Sequence, residues 1–112
     1  MLQRELMKLG MILYSNDPET VFQAFRLGIF ALKKGDGVDV FLLAKGVECE
    51  SLDTSQFNVS ALIREFVNLG GRTYSCTSCL KIRGKEGTEI CPLSTMADLY
   101  RIIAESDRVI TL

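Results

Sequence analysis

The chain's 112 residues predict an α/β fold, a parallel sheet with helices on both faces. Three observations carry this. Short apolar runs alternate with longer segments of helical period, in the order β-α-β-α-β-loop-α-β. Val38-Asp39-Val40-Phe41-Leu42-Leu43 has the apolar density of a strand covered on both faces. Capping residues and glycines also fall where the period changes.

The first strand is Leu9-Gly10-Met11-Ile12-Leu13-Tyr14, followed by the turn residues Ser15-Asn16-Asp17-Pro18. Asp17 suits a helix N-cap, and Pro18 suits the first helical position, where a missing N–H costs nothing. The helix runs through Val21, Phe22, Phe25, Ile29 and Leu32, and stops at Lys33-Lys34-Gly35 with cations and a glycine. Leu27 and Phe30 lie off its main stripe, so its apolar surface is wide enough to suggest a subunit interface. The strand Val38–Leu43 leads to a polar loop from Lys45 to Asn58. A second helix directs Leu62, Ile63, Phe66 and Leu69 inward and ends at Gly70-Gly71. Arg72–Cys76 is the third strand. Thr95-Met96-Ala97-Asp98 reads as a capping box with Asp in the place more often held by Glu, opening a helix through Leu99, Ile102 and Ile103. Arg108-Val109-Ile110-Thr111-Leu112 is the final strand. Without repeats, low-complexity tracts or linkers, residues 1–112 read as one domain.

Composition narrows the function. Hydrophobic residues make up 47% and charged residues 24%, a globular balance. Net charge is −1 and the isoelectric point about 5.4, which speaks against a nucleic-acid module built on phosphate contacts. Nothing in the sequence reaches the ~18 apolar residues of a membrane span, and the N-terminus lacks a signal-peptide core. The expectation is a cytoplasmic protein with reduced thiols, whose four cysteines point to chemistry or metal more than to stapling. The chain has no histidine, so Cys–His dyads, histidine ligands and histidine bases are excluded.

Chemistry concentrates in Cys76-Thr77-Ser78-Cys79, directly after a strand, with Leu80-Lys81-Ile82-Arg83-Gly84-Lys85 behind it. A thiol of pKa near 8.5 is about 3% thiolate at pH 7, and lowering it to ~7 gives about half, a gain worth roughly 1.4–2 kcal/mol. A short helical turn from Thr77 to Ile82 would aim free N–H groups at Cys76, and Lys81 and Arg83 would add charge. Ligands in parallel sheets gather at the carboxyl ends of strands. Asn16, Cys49, Cys76 and Cys79 all follow strands, and Cys91 precedes a helix entering from the same edge. All four cysteines are therefore expected at one rim.

These residues carry a resemblance. The chain resembles the DsrE/DsrF-like family of small sulfur-relay proteins, which includes the TusD and YchN types, over almost its whole length. Tyr14-Ser15-Asn16-Asp17-Pro18 with its Ala/Phe-rich helix is similar to the family's first unit, and Val38–Leu43 to its second strand. Ala97-Asp98-Leu99 with Ser106-Asp107-Arg108-Val109 is similar to its closing helix and strand. The most specific piece is Cys76-Thr77-Ser78-Cys79-Leu80-Lys81-Ile82-Arg83-Gly84, similar to the YchN-type C-x-x-C-x-x-x-R-G loop. Single-cysteine members of the TusD and DsrE type carry their thiol at the position of Cys76. Cys79 departs from that pattern, and Cys49 and Cys91 are additional to the loop motif.

The resemblance implies a three-layer α/β/α domain with a mostly parallel sheet of four to five strands, working as a homo-oligomer, a trimer or hexamer. It implies that Cys76 accepts a sulfane sulfur from a donor protein and passes it to an acceptor protein, with no cofactor. Cys79 would resolve the persulfide, and Arg83, Lys81 and Asn16 would serve binding. Other readings stand beside it. Cys49, Cys76, Cys79 and Cys91 could form a zinc or iron–sulfur site, although structural zinc usually shows two paired motifs and here there is one. The chain could also be an interaction module whose cysteines are small buried apolar residues and whose Lys81 and Arg83 are solvated charges, or a dithiol oxidoreductase.

Overall fold

A computed structural model describes residues 6–112. Chain order is β1 (Lys8–Leu13), α1 (Pro18–Lys33), β2 (Gly37–Leu42), a 3-10 segment (Ala44–Ser51), α2 (Val59–Asn68) and β3 (Arg72–Cys76). There follow α3 (Thr77–Ile82), β4 (Leu93–Ser94), α4 (Met96–Glu105) and β5 (Arg108–Thr111). The five strands form one sheet in the order β4-β3-β2-β1-β5, and every pairing is parallel. The expected α/β/α arrangement with four to five strands is what the chain adopts.

Right-handed crossovers explain the layering. The connections β1-α1-β2 and β2-α2-β3 advance in one direction across the sheet and put α1 and α2 on one face, whereas α4 returns from β4 to β5 and takes the other. Side chains agree. A Cβ on Gly28 of α1 would lie 2.8 Å from the Phe66 ring of α2 and 3.7 Å from the Met11 sulfur of β1. A Cβ on Gly10, one residue before Met11, would instead lie 2.9 Å from Ile102 and 2.7 Å from Ser106, at the other face. Phe25 meets Phe66 edge-on at 5.3 Å between Val21, Ile63 and the inward residues of β2, all buried.

The caps fall where expected. Asp17 accepts from the Thr20 amide at 2.9 Å with Pro18 opening α1, and Thr95 donates its amide to Asp98 at 2.9 Å at the start of α4. Leu27 and Phe30 are exposed, as their position off the stripe of α1 required. Two helices bury less than their patterns promised. Leu69 caps α2 and is exposed, and Ile103 lies on the solvent side of α4, where Ile102 alone is fully buried.

Two connections differ from the sequence reading. Residues 44–51, expected as an irregular polar loop, form a 3-10 helix with Gly46, Val47 and Cys49 buried. The loop after β3 holds α3, over the same residues as the helical turn read from Thr77 to Ile82, and adds the two-residue strand β4, which was not expected. A strand so short has no period to reveal it; hydrogen bonds define it instead. Ser75 donates its amide to the Pro92 carbonyl at 2.8 Å, Ser94 its hydroxyl to the Ser75 carbonyl at 2.9 Å, and Thr77 its hydroxyl to the Ser94 carbonyl at 2.7 Å.

Gly46 seats the 3-10 segment on the sheet edge. A Cβ there would lie 1.9 Å from the Leu13 carbonyl oxygen, and backbone cannot yield as a side-chain tip does. Gly46→Ala is expected to destabilise the protein by about 3 kcal/mol, as overpacking does. Urea denaturation checks this, and a midpoint equal to the parent's would show that the segment lifts off without cost.

Candidate functional site

The site lies where β3 becomes α3, at the carboxyl edge of the sheet. Cys76 ends the strand with φ −59° and ψ 115° at the N-cap of α3, where its side chain makes no capping hydrogen bond to the helix amides. Ser78 Oγ lies 3.3 Å from Cys76 Sγ. Burial pushes the Cys76 thiol up, but the Ser78 hydroxyl, the Cys79 thiol and the nearby amides of Cys79 and Ser78 outweigh it and hold the group below the ordinary thiol range. Cys79 goes the other way. Burial and its hydrogen bond to Cys76 raise it, and the Ala44 amide, donating to Cys79 Sγ at 3.2 Å, offsets only part of that. The dithiol is therefore asymmetric, and Cys76 becomes a thiolate first.

Cys76 opens onto a cavity of about 250 Å³ that it lines with Thr77, Ser78, Lys81, Ser94, Thr95 and Met96. A neighbouring cavity of about 490 Å³ shares Thr77 and Lys81 and extends to Gly84, Lys85, Glu86, Gly87 and Leu93. Lys81 thus borders both cavities.

Arg83 and Asn16 belong to a different part of the site than expected. Arg83 Nε meets Glu48 at 2.7 Å, and its Nη1 donates to the Cys79 carbonyl at 3.0 Å. Asn16 donates to the other Glu48 oxygen at 3.3 Å. Hydrogen bonds from Arg83, then Asn16, hold the Glu48 carboxyl below its usual range. The guanidinium is committed to a carboxylate and a carbonyl, so it ties the 3-10 segment to α3. Glu48 and Ala44, both missed in the sequence, complete this arrangement. Neither carries a local signal, because only the 3-10 fold brings Glu48 to Arg83 and Ala44 to Cys79. Ser78 stood in view inside the C-x-x-C pair.

The four cysteines do not share one rim. Cys49 and Cys91 are buried and face each other; the hydrogen bond with Cys49, then burial, pushes the Cys91 thiol far up. Cys91 also contacts Thr73, which lies three residues before Cys76 on β3, and an odd separation along a strand places side chains on opposite faces. The thiols hence form two pairs. Among the described residues no three cysteine, aspartate or glutamate side chains converge where a metal ion could be held, so the expected alternative of a four-cysteine ligand set is not assembled. No helix among the described residues is long and apolar enough to cross a membrane.

Comparison with known proteins follows the same outline. The sequence profile of the DsrE/DsrF-like family matches residues 7–112. An uncharacterized protein of Methanocaldococcus jannaschii is 32% identical over 99 residues, covering 83% of this chain and 87% of the relative. Another uncharacterized protein, from Methanopyrus kandleri, is 31% identical over 98 residues, covering 82% and 81% respectively.

Thiolates, not thiols, react with alkylating agents, so a lowered pKa brings Cys76 into reaction at lower pH than Cys79. Peptide-resolved alkylation is expected to label Cys76 first at neutral pH, with Cys79 following as pH rises. Ser78→Ala should move the Cys76 profile upward and leave the protein folded. Labelling of Cys79 ahead of Cys76 would reverse the assigned order.

Proposed function

Since the chain belongs to the DsrE/DsrF-like family, we infer that it is a sulfur carrier that accepts sulfane sulfur on Cys76. The observation that carries this is the asymmetric dithiol: a thiol of lowered pKa, 3.3 Å from the Ser78 hydroxyl at the start of α3, lining a cavity bordered by Lys81. The Cys76 thiolate attacks the outer sulfur of a donor protein's persulfide. A bond forms between Cys76 Sγ and that sulfur, the donor's S–S bond breaks, and the donor leaves as a thiolate. An acceptor protein's thiolate then attacks the outer sulfur, and Cys76 departs as the thiolate its hydrogen bonds favour. The half-buried Cys79 is the resolving thiol, able to close a disulfide with Cys76. Lys81 steadies the incoming anionic sulfur, whereas Arg83, Asn16 and Glu48 maintain the frame around it.

Intact mass of protein purified without reductant, before and after a persulfide donor is added, tests this. Added sulfur on the Cys76 peptide, removable by reductant and absent in Cys76→Ser, is the expected outcome. Sulfur that still loads in Cys76→Ser would place the acceptor elsewhere.

A homo-oligomer also fits, because Leu27 and Phe30 on α1 and Met96, Tyr100 and Ile103 on α4 expose apolar surface. Phe30→Glu is expected to lower the mass seen in sedimentation. A parent that sediments as a monomer would refute the assembly.

A further inference from the structure

The sulfur of Cys79 receives the Ala44 amide from a residue in a costly conformation. Ala44 has φ 51°, and among the described residues it is the one non-glycine with positive φ. Left-handed backbone costs an alanine of order 1 kcal/mol and persists where its surroundings enforce it. The enforcing contacts flank it. Leu43 donates its amide to the Leu13 carbonyl at 3.0 Å, and Gly46 donates to the Leu43 carbonyl at 2.8 Å, so the residue between is turned toward α3. Further along the same segment, Glu48 binds Arg83, whose Nη1 holds the Cys79 carbonyl. Ala44 thus grips the sulfur of Cys79, Arg83 grips its backbone, and Glu48 joins the two.

We propose that Ala44 and Glu48 are positioning residues that present Cys79 as the thiolate attacking the Cys76 persulfide, and so govern whether bound sulfur leaves as sulfide. This rests on Cys76 being the carrier. Cys79 first gives its proton to solvent, and the Ala44 N–H, a donor to the anion, favours that ionised form. The Cys79 thiolate then attacks the inner sulfur. A Cys76–Cys79 bond forms, the bond between Cys76 Sγ and the outer sulfur breaks, and the outer sulfur leaves as hydrosulfide with the bonding pair. The Cys79 sulfur is oxidised and the departing sulfur reduced, so the step needs no further reactant.

Glu48→Gln and Ala44→Val separate this from a structural role. The first removes the charge that holds Arg83; the second puts a β-branched residue where φ is positive, which withdraws the amide. Both are loaded with a persulfide donor, and three readings are taken: sulfur on Cys76 by intact mass, the pH profile of Cys79 alkylation, and sulfide released per persulfide. Cys79 labelling at fixed pH is expected to slow roughly three- to tenfold, its profile moving to higher pH, with sulfide release falling by a similar factor. A Cys79 profile unmoved in folded Glu48→Gln overturns the positioning role, and that variant decides if Ala44→Val does not fold. Wild-type protein that takes no sulfur on Cys76 overturns the carrier reading instead, while the Cys79 profile still judges the two residues.

Discussion

Much of the site depends on how closely the 3-10 segment can approach the end of β1. The Leu13 carbonyl receives the Leu43 amide and presses against Gly46, leaving no room for a side chain. That contact fixes the start of the segment, and everything the segment carries follows. Ala44 is turned to Cys79, Glu48 reaches Arg83, and Cys49 drops into the core beside Cys91. A parallel sheet makes such convergence natural, because its carboxyl ends share one edge. The sheet supplies the address; the backbone contact at Gly46 supplies the register.

Within the dithiol, hydrogen bonds decide the order of ionisation. Burial alone would raise both thiols. The turn into α3 distributes donors unequally. Cys76, at the N-cap, has the Ser78 hydroxyl at 3.3 Å and the polar start of α3 beside it, and Cys79, within the helix, has its own hydrogen bond to Cys76 counting against it. The Arg83–Glu48 pair contributes differently. With side chains 24% and 28% exposed, such a pair is worth at most about 1 kcal/mol in stability, so its importance is where it holds Cys79 and the 3-10 segment.

The fold was legible because its signals are local. Asp17-Pro18, Thr95 with Asp98, and the dense apolar run of β2 each declare themselves within a few residues, and parallel topology follows from their alternation. The C-x-x-C pair was legible for the same reason. What escaped depends on distance in sequence. Glu48 and Arg83 lie 35 residues apart, as do Ala44 and Cys79, and nothing in either neighbourhood marks the partner. The convergence of four cysteines failed on a finer point. Topology assigns loops to an edge of the sheet, but the face on which a residue lies follows strand parity, and Thr73 and Cys76 differ in parity.

The two thiols also sit in different surroundings, which on the sulfur-carrier reading bears on how a bound sulfur would leave. Cys76 lines the cavity shared with Lys81 and Met96, so the outer sulfur of its persulfide would extend toward solvent and an approaching partner. Cys79 takes the Ala44 amide on its sulfur and Arg83 on its carbonyl, and it is the more exposed of the two thiols. On the sulfur-carrier reading, attack of an external thiolate on the outer sulfur would give transfer, and attack of Cys79 on the inner one would give release. Cys79 is held above the ordinary thiol range and Cys76 below it, so on the same reading a neutral Cys79 would leave a persulfide available for transfer. The asymmetry that favours Cys76 as the reactive thiol thus also favours a neutral neighbour.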